Sequence, residues 1–313
     1  MQQHTIATPY MVGEVHCYTT EIDGDLVLFD TGPKTDEARL ALGRAVDLSR
    51  LKYLFVTHCH VDHYGLIDFI AKNSSARILI PRQDAIKLQR HEERLEKIEA
   101  LLGLCGYGGD FVRHLLSVLE VNRLFPGIPE GYEIVEESDV PARLGISWLS
   151  CPGHSQSDLV YRYGDQVVSG DILLRDIFQA PLLDVDLETF NSRFRNYDAY
   201  CASLRKLAGL RGCIIHPGHR QGVASLDATI LFYVGKLLER AKVVRGLAML
   251  ATEREVVERL FGAELRDPFV TYLKVSEIVF MRDFLADPQR LKETLETIGL
   301  FVPVSERYAA VFE

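Results

Sequence analysis

Short apolar runs alternate with amphipathic segments over the first two thirds of the chain. In "VHCYTTEIDGDLVLFDTGP", two β-rich runs flank Asp23-Gly24, a dipeptide typical of a tight hairpin turn. Further strands are predicted near 53–57, 76–81, 132–135, 146–151, 159–163, 166–169 and 212–219. Helical spacing of apolar residues occurs at 35–46, 66–72 and 188–208. This alternation predicts an α/β fold.

Residues 83–120 interrupt the alternation with two amphipathic helices, joined by a glycine-rich break at 103–109. We expect this helical insertion to hang over the edge of the sheets, where the glycines would let it act as a lid. Its candidate pocket-lining residues are Leu101, Leu102, Leu104, Tyr107, Phe111, Leu115, Leu116 and Leu119. The alternative is that these side chains only pack the two helices together.

The last third of the chain has a helical pattern. Helices are predicted at 226–248, 253–261, 270–285 and 288–298, and the closing "LFVPVSERYAAVF" favours a short β-hairpin. We place a soft boundary near 222–225. It separates a domain at 1–222 from a mainly helical segment at 223–313.

Composition describes a globular chain with a sizeable core, since 47% of its 313 residues are hydrophobic and 25% are charged. The net charge of -9 argues against a nucleic-acid partner, although a local basic patch stays open. The six cysteines form no C-x-x-C pair, and neither a signal peptide nor a long apolar run is visible. We therefore expect a cytoplasmic protein with free thiols and no membrane association.

Histidines and aspartates are concentrated in short motifs that follow predicted strands. The motifs are "THCHVDHYG" at 57–65, "CPGHSQSD" at 151–158, "VVSGDILL" at 167–174 and "HPGHR" at 216–220. Loops at one edge of a sheet can converge although they are far apart in sequence. We expect these motifs to form one metal site, with candidate ligands His58, His60, Asp62, His63, His154, Asp171 and His219.

Side-chain alternation divides the first motif between two ions. In an extended segment, His58 and His60 point the same way and can hold one ion together. The chain then turns into a helix, so Asp62 and His63 can point toward a second ion. The remaining donors, a third imidazole for each ion and a bridging carboxylate, are His154, His219 and Asp171. This donor set suits two Zn²⁺ ions, with Fe or Mn²⁺ as alternatives.

Four neighbouring residues have other expected roles. Alternation turns Cys59 to the opposite face, which predicts a buried thiol behind the site. His216 ends a strand, and we expect it to pack its ring or to support a ligand. Arg220 is either exposed or paired with an acidic group of the substrate or the protein. Phe178 lies shortly after the last carboxylate and is a candidate pocket wall.

Together the motifs resemble those of the metallo-β-lactamase-fold hydrolases, including glyoxalase II-like enzymes. The matching residues run in order over about 10–222: Asp30-Thr31-Gly32, His58-x-His60-x-Asp62-His63, Pro152-Gly153-His154-Ser155, Ser169-Gly170-Asp171 and Pro217-Gly218-His219. The resemblance implies a four-layer αββα sandwich with a dinuclear site at one edge. It implies one ion on His58, His60 and His154, the other on Asp62, His63 and His219, and both on Asp171. It also gives Asp62 a role in proton handling.

The resemblance implies a hydrolase that attacks its substrate with metal-bound hydroxide, but the fold does not name the substrate. We favour a thioester or ester of a small organic molecule, because an apolar insertion suits an acyl group. One alternative is a phosphodiesterase or nuclease of the same fold. Another is a metal-containing binding or regulatory protein with incidental hydrolase activity. A homodimer is compatible with each of these.

The segment at 223–313 resembles two kinds of extension found in this family. One is the small winged-helix-like tail of some β-lactamase-like proteins. The other is a helical cap that shapes an acyl pocket, as in glyoxalase II-like thioesterases.

Overall fold

Two β-sheets form the centre of the computed structural model, which describes residues 1–121, 129–262, 265 and 267–313. The first sheet has six strands in chain order: β1 (Gln2–Ile6), β2 (Val15–Ile22), β3 (Asp25–Phe29), β4 (Leu51–Phe55), β5 (Arg77–Ile80) and β6 (Glu133–Ile134). Its first three strands are antiparallel, and β3 to β6 run parallel. The second sheet has the order β10-β9-β8-β7, from β7 (Ile146–Ser150), β8 (Leu159–Tyr163), β9 (Gln166–Gly170) and β10 (Ile214–Pro217).

The predicted hairpin at Asp23-Gly24 is confirmed. Asp23 and Gly24 have φ angles of 51° and 89°, as the two central residues of a type I′ turn require. The turn joins β2 to β3, which pair from Ile22 with Asp25 to Tyr18 with Phe29. The first sheet therefore begins with the hairpin that the dipeptide predicts.

Helices cover the outer face of each sheet and supply the C-terminal third. In the first half they are α1 (Asp36–Ala45), α2 (Val61–Tyr64), α3 (Ile67–Asn73), α4 (Arg82–Gln89), α5 (His91–Leu104), α6 (Gly109–Val121) and α7 (Val140–Arg143). In the second half they are α8 (Asn196–Leu207), α9 (Leu226–Arg245), α10 (Glu253–Phe261), α11 (Pro268–Ala286), α12 (Pro288–Thr297) and α13 (Ser305–Phe312). Short 3₁₀ helices occupy Ala208–Leu210 and Val302–Val304.

Alternating side chains on the strands divide the interior into three hydrophobic layers. On β3, Val27 and Phe29 face the second sheet, whereas Leu28 faces the layer shared with α1 and α3. On β8, Tyr161 lies between the sheets and Val160 faces the C-terminal helices. The four-layer αββα sandwich is therefore confirmed, with a helical insertion and a mainly helical C-terminal segment.

The later part of the insertion, α5 and α6, packs largely against the C-terminal helices. Leu102 and Leu115 are fully buried in the hydrophobic cluster that α9 and α11 share with the second sheet. Leu104 is 80% exposed, and the side chain of Leu119 lies outside the described part of the chain. Leu101 and Leu104 line a separate cavity of about 220 Å³ with residues of α10 and α11. The alternative interpretation, in which these residues mainly pack the helices together, fits the described side chains.

The closing β-hairpin predicted at 300–312 is wrong. Val302 to Phe312 form the second 3₁₀ helix and α13, whose Val311 is buried against α9 and its neighbours. Val304 and Val311, seven residues apart, are both buried, as residues on one helical face are. Among the described helices, none is both long and apolar enough to cross a membrane.

Candidate metal centre

The strand directions bring the sequence motifs to one edge of the sandwich. Because β7 and β9 are both antiparallel to β8, and β10 is parallel to β9, the carboxyl ends of β7, β9 and β10 meet at the same edge. The first sheet joins this edge where Leu159 N–H donates to the Thr57 carbonyl, 3.0 Å away. All seven candidate ligands lie in the loops or the short helix α2 that follow β4, β7, β9 and β10: His58, His60, Asp62, His63, His154, Asp171 and His219.

The seven side chains form three overlapping groups that could each hold a metal ion. The groups are His58, His60 and His154; His58, His63 and Asp171; and Asp62, His63 and His219. Within each group the ligand atoms lie within 4.8 Å of one another. In the first group, His60 Nδ1 lies 2.9 Å from His58 Nε2 and 3.1 Å from His154 Nε2. In the last group, His219 Nε2 lies 3.2 Å from Asp62 Oδ2.

The Asp171 carboxylate lies between the outer two groups. Its Oδ1 is 3.3 Å from His63 Nε2, and its Oδ2 is 3.5 Å from His219 Nε2 and 3.7 Å from His154 Nε2. The two Asp171 oxygens therefore lie close to ligands of both the first and the last group, as the oxygens of a bridging carboxylate must.

Three of these inward-facing atoms are buried without a hydrogen bond from any described residue: His63 Nε2, Asp171 Oδ1 and His219 Nε2. Buried polar atoms are rarely left unpaired, because the lost hydration costs about 1–3 kcal/mol each. A cation bound between them would satisfy all three atoms. The residues present therefore fit a metal centre.

Other hydrogen bonds fix the ring orientation of four histidines. His154 Nδ1–H can donate to the Ala180 carbonyl at 3.0 Å, and His219 Nδ1–H to the Glu14 carbonyl at 2.7 Å. His58 Nδ1 lies 3.0 Å from Thr57 Oγ1, and His63 Nδ1 lies 3.0 Å from Asp30 Oδ2. With Nδ1 occupied, Nε2 is left to face the cluster, which is how outer contacts prepare histidines for metal binding.

Electrostatics separates the cluster into two halves. Burial, with neighbouring imidazoles, holds the pKa of His58 and of His60 well below the usual value. Burial acts in the same direction on His63, but the Asp171 and Asp62 carboxylates outweigh it and raise the pKa of His63. Burial would raise the pKa of Asp171, but the neighbouring His63 and His219 outweigh it and hold that pKa well below its usual value. One half thus presents neutral imidazoles, whereas in the other the carboxylates hold a positive charge on His63, whose place a bound metal ion would take.

A buried ion pair on α4 holds the backbone between His58 and His60. Asp84 accepts from Cys59 N–H at 2.6 Å and forms an ion pair with Lys87, whose Nζ donates to the Cys59 carbonyl at 3.1 Å. Cys59 itself is 1% exposed and belongs to the core beneath α3, so the predicted buried thiol is confirmed. Alternation explains this outcome, because the two histidine rings face the cluster and the thiol faces away.

The other sequence candidates lie outside the cluster. His216 Nε2 lies 2.7 Å from Gln166 Oε1, and its ring packs against Tyr18. Arg220 is exposed and has no ion pair within the described ranges. Phe178 is half-buried, stacks on Tyr233 and lies under the Arg240 guanidinium, so much of its ring is covered.

Asp30 is the clearest supporting residue that sequence reasoning missed. Its carboxylate accepts from both Thr57 N–H and Thr57 Oγ1–H at 2.8 Å, in addition to its contact with His63. Asp30 adopts a left-handed φ of 59°, which is uncommon for a residue other than glycine. The signal was present in Asp30-Thr31-Gly32, where an aspartate follows a buried strand, but on sequence alone the motif indicates only a turn.

Comparison with known proteins agrees with this site. The family model for the metallo-beta-lactamase superfamily matches residues 10–219. The chain is 28% identical over 276 residues to "Probable metallo-hydrolase YqjP" of Bacillus subtilis, covering 82% of this chain and 84% of that protein. It is 36% identical over 141 residues to UPF0173 protein PF0020 of Pyrococcus furiosus, covering 43% of this chain and 58% of that protein.

Solved structures show the same fold at low sequence identity. A metallo-beta-lactamase family protein of Thermus thermophilus, TTHA1429, superimposes with a TM-score of 0.69 at 20% identity, covering 92% of this chain and 93% of that one. A beta-lactamase domain protein from Burkholderia ambifaria gives 0.70 at 17% identity, covering 91% and 86%. From its matched motifs and its fold, this chain belongs to the metallo-β-lactamase superfamily, whose members bind divalent metal ions.

Proposed function

We propose that the protein is a dinuclear metal-dependent hydrolase that acts on a thioester or ester of a small organic molecule. The observation that carries the proposal is the convergence of five imidazoles and two carboxylates, with three buried inward-facing atoms that accept or donate no hydrogen bond among the described residues. Such a set is costly to bury without a cation.

Two ions account for the shape of the cluster better than one. We assign His58, His60 and His154 to the first ion and Asp62, His63 and His219 to the second. Asp171 is assigned to both, because its two oxygens approach both groups. Imidazole with carboxylate suits Zn²⁺, and Fe or Mn²⁺ are compatible with the same donors.

Bound divalent ions would supply Lewis acidity and lower the pKa of water at the site. The chain's own residues supply orientation and proton transfer. Burial opposes ionisation of Asp62, but the neighbouring His63 and His219 lower its pKa, so its carboxylate is ionised and able to accept a proton. The Ala180 and Glu14 carbonyls fix His154 and His219, and thereby the place at which a substrate meets the cluster.

Charge and surface chemistry favour a carbonyl substrate. The net charge is -9, which opposes a polyanionic partner. The loop that leads to Glu14, whose carbonyl contacts His219, exposes the apolar side chains of Met11 (78%) and Val12 (42%). An acyl group can contact such side chains, whereas a sugar phosphate gains little from them.

A phosphodiesterase is the second candidate, because two exposed arginines follow candidate ligands. Arg175 lies four residues after Asp171, and Arg220 directly follows His219. Arg175 donates to Gln221 at 3.0 Å, which links the two loops beside the site. Guanidinium groups in this position suit a phosphate.

The test combines metal analysis with a substrate screen. Purified protein should contain two divalent ions per chain and hydrolyse an acyl thioester or aryl ester faster than a lactone or bis(4-nitrophenyl) phosphate. Alanine at His58 and Asp171 together should remove turnover and reduce bound metal. Alanine at His216, a histidine outside the cluster, is the matched control and should change neither.

Preferential cleavage of the phosphodiester, with strong salt dependence, would establish the second candidate instead. Full retention of metal and turnover in the His58 and Asp171 variant would refute both.

A further inference from the structure

Tyr10 lies in the loop before β2 and carries a buried polar atom to which the described structure gives no partner. Its hydroxyl oxygen is buried and has no hydrogen-bond partner among the described residues, although its ring is only half-buried. The hydroxyl therefore points inward. Native proteins leave few buried hydroxyls unpaired, so this one calls for an explanation.

The loop that carries Tyr10 is tied directly to the cluster. Glu14, four residues on, accepts the His219 Nδ1–H through its carbonyl, and Val15 forms a β-bridge with His219. The adjoining His16 N–H donates to the Gly218 carbonyl at 2.7 Å. These three contacts place the loop at residues 7–14 against the His219 side of the site.

The loop itself is ordered by its own hydrogen bonds. Gly13 N–H donates to the Tyr10 carbonyl at 3.1 Å, and its φ of 86° closes the turn. Thr8 Oγ1–H donates to the Gly13 carbonyl at 2.5 Å, and Tyr10 N–H donates back to Thr8 Oγ1 at 3.2 Å. The backbone of Tyr10 is thus held at both its N–H and its carbonyl, which fixes the position of the Cα atom from which the side chain extends.

The pKa of the Tyr10 hydroxyl is affected by its burial and by the charge of Asp62. Burial raises the pKa of Tyr10, and the Asp62 carboxylate raises it further. The phenol therefore stays protonated at neutral pH and is a hydrogen-bond donor.

Resting on the proposed hydrolase function, we propose that Tyr10 contacts the substrate, with its phenol donating a hydrogen bond to a substrate oxygen on the Asp62 side of the metal centre. The substrate would then have an oxygen acceptor on the atom whose bond is cleaved, as the carbonyl carbon of an ester or a thioester does. In the tetrahedral intermediate this oxygen carries the negative charge. A donor aimed at an oxygen that gains negative charge stabilises the transition state more than the ground state.

The test removes the hydroxyl and keeps the ring. Binding of methylphosphonate, a tetrahedral oxyanion, to the zinc-loaded protein is measured by titration calorimetry for the parent protein and for Tyr10→Phe. We expect about a tenfold weaker Kd in Tyr10→Phe, the size of one lost hydrogen bond to a charged acceptor, with bound zinc unchanged. On the substrate found by screening, kcat/KM should fall by about the same factor.

Tyr163→Phe is the matched control. Tyr163 ends β8, four residues and so about 13 Å along the strand from Leu159, which lies at the site edge. Its loss should leave the Kd and kcat/KM unchanged.

An equal Kd in the parent protein and Tyr10→Phe, or no binding by either, would overturn the role of Tyr10. If Tyr10→Phe weakens methylphosphonate binding but the parent protein hydrolyses no ester, thioester or phosphodiester, the proposed function fails and the contact stands.

Discussion

At the scale of single residues, the candidate metal centre is packed so closely that a side chain added at a neighbouring glycine would collide with its ligands. A Cβ atom at Gly218 would lie 2.5 Å from Asp171 Oδ1 and 2.5 Å from His63 Cε1. Gly218 therefore permits both groups to reach the cluster. The sequence showed it only as part of Pro217-Gly218-His219, with no indication of what the missing side chain makes room for.

We expect Gly218→Ala to lose bound metal, because one of the two crowded side chains must leave its position. Overpacking of this kind costs about 1–3 kcal/mol, so the protein should still fold. Metal content by mass spectrometry and far-UV circular dichroism check the two parts. Gly209→Ala has no atom within 4 Å of the added Cβ and serves as the control. Unchanged metal content in Gly218→Ala would contradict the crowding.

At the scale of elements, α4 is coupled to the histidine motif through the Asp84–Lys87 pair. We expect Asp84→Asn and Lys87→Met each to destabilise the metal-free protein by about 3–5 kcal/mol, since each leaves a buried group uncompensated. The double variant should cost less than the sum of the two. Urea unfolding measures all three free energies.

The exposed pair of Arg113 and Asp110 on α6 has the same i,i+3 spacing and provides the control. Equivalent substitutions there should change the unfolding free energy little, because water already solvates both groups. Additive costs at Asp84 and Lys87 would show that the two side chains act separately.

Asp158, in the loop from β7 to β8, should make the free energy of unfolding depend on pH. Burial raises the pKa of Asp158 from 3.8 to about 6, although Ser155 donates to both of its carboxylate oxygens. Since the folded pKa is the higher one, the stabilising effect of the proton is complete below about 3.8 and is lost as the pH rises through about 6. That difference corresponds to about 3 kcal/mol.

Asp158→Asn should therefore gain stability relative to the parent protein as the pH rises from 4 to 7. Urea unfolding in EDTA at several pH values gives the difference for the metal-free protein. Asp165→Asn, at an exposed turn after β8, is the control for removing one aspartate charge. A constant difference for Asp158→Asn across this range would rule the mechanism out.

At the scale of the whole molecule, what the sequence predicts well is what depends on local pattern. The Asp23-Gly24 turn, the bounds of α10 and the face of Cys59 follow from φ preferences and from side-chain periods of 3.6 and 2. Long-range partners were not predictable, because neither spacing nor composition places Asp84 under Cys59 or Asp30 beside His63. The hydrophobic positions of α5 and α6 were visible, but their burial partners were not.

Those burial partners bear on whether 223–313 is a separate domain. Leu237 of α9 is fully buried in a cluster that also contains Leu102 of the insertion and Val160 of the second sheet. The single tryptophan, Trp148 on β7, packs against the layer between the two sheets. It therefore reports on the sandwich, whereas circular dichroism follows the helices.

We expect Leu237→Ala to destabilise the whole protein by about 2–5 kcal/mol, because the cavity lies in a core that the helices and the second sheet share. Urea unfolding followed by Trp148 fluorescence and by far-UV circular dichroism should give one shifted midpoint for both signals. Val243→Ala, at a position of the same helix that is 51% exposed, should shift neither signal appreciably. If instead circular dichroism falls at lower urea while the Trp148 signal keeps its midpoint, the C-terminal segment unfolds independently. The boundary near 222 would then mark a domain in the thermodynamic sense, whereas coincident midpoints make the segment part of one cooperative core.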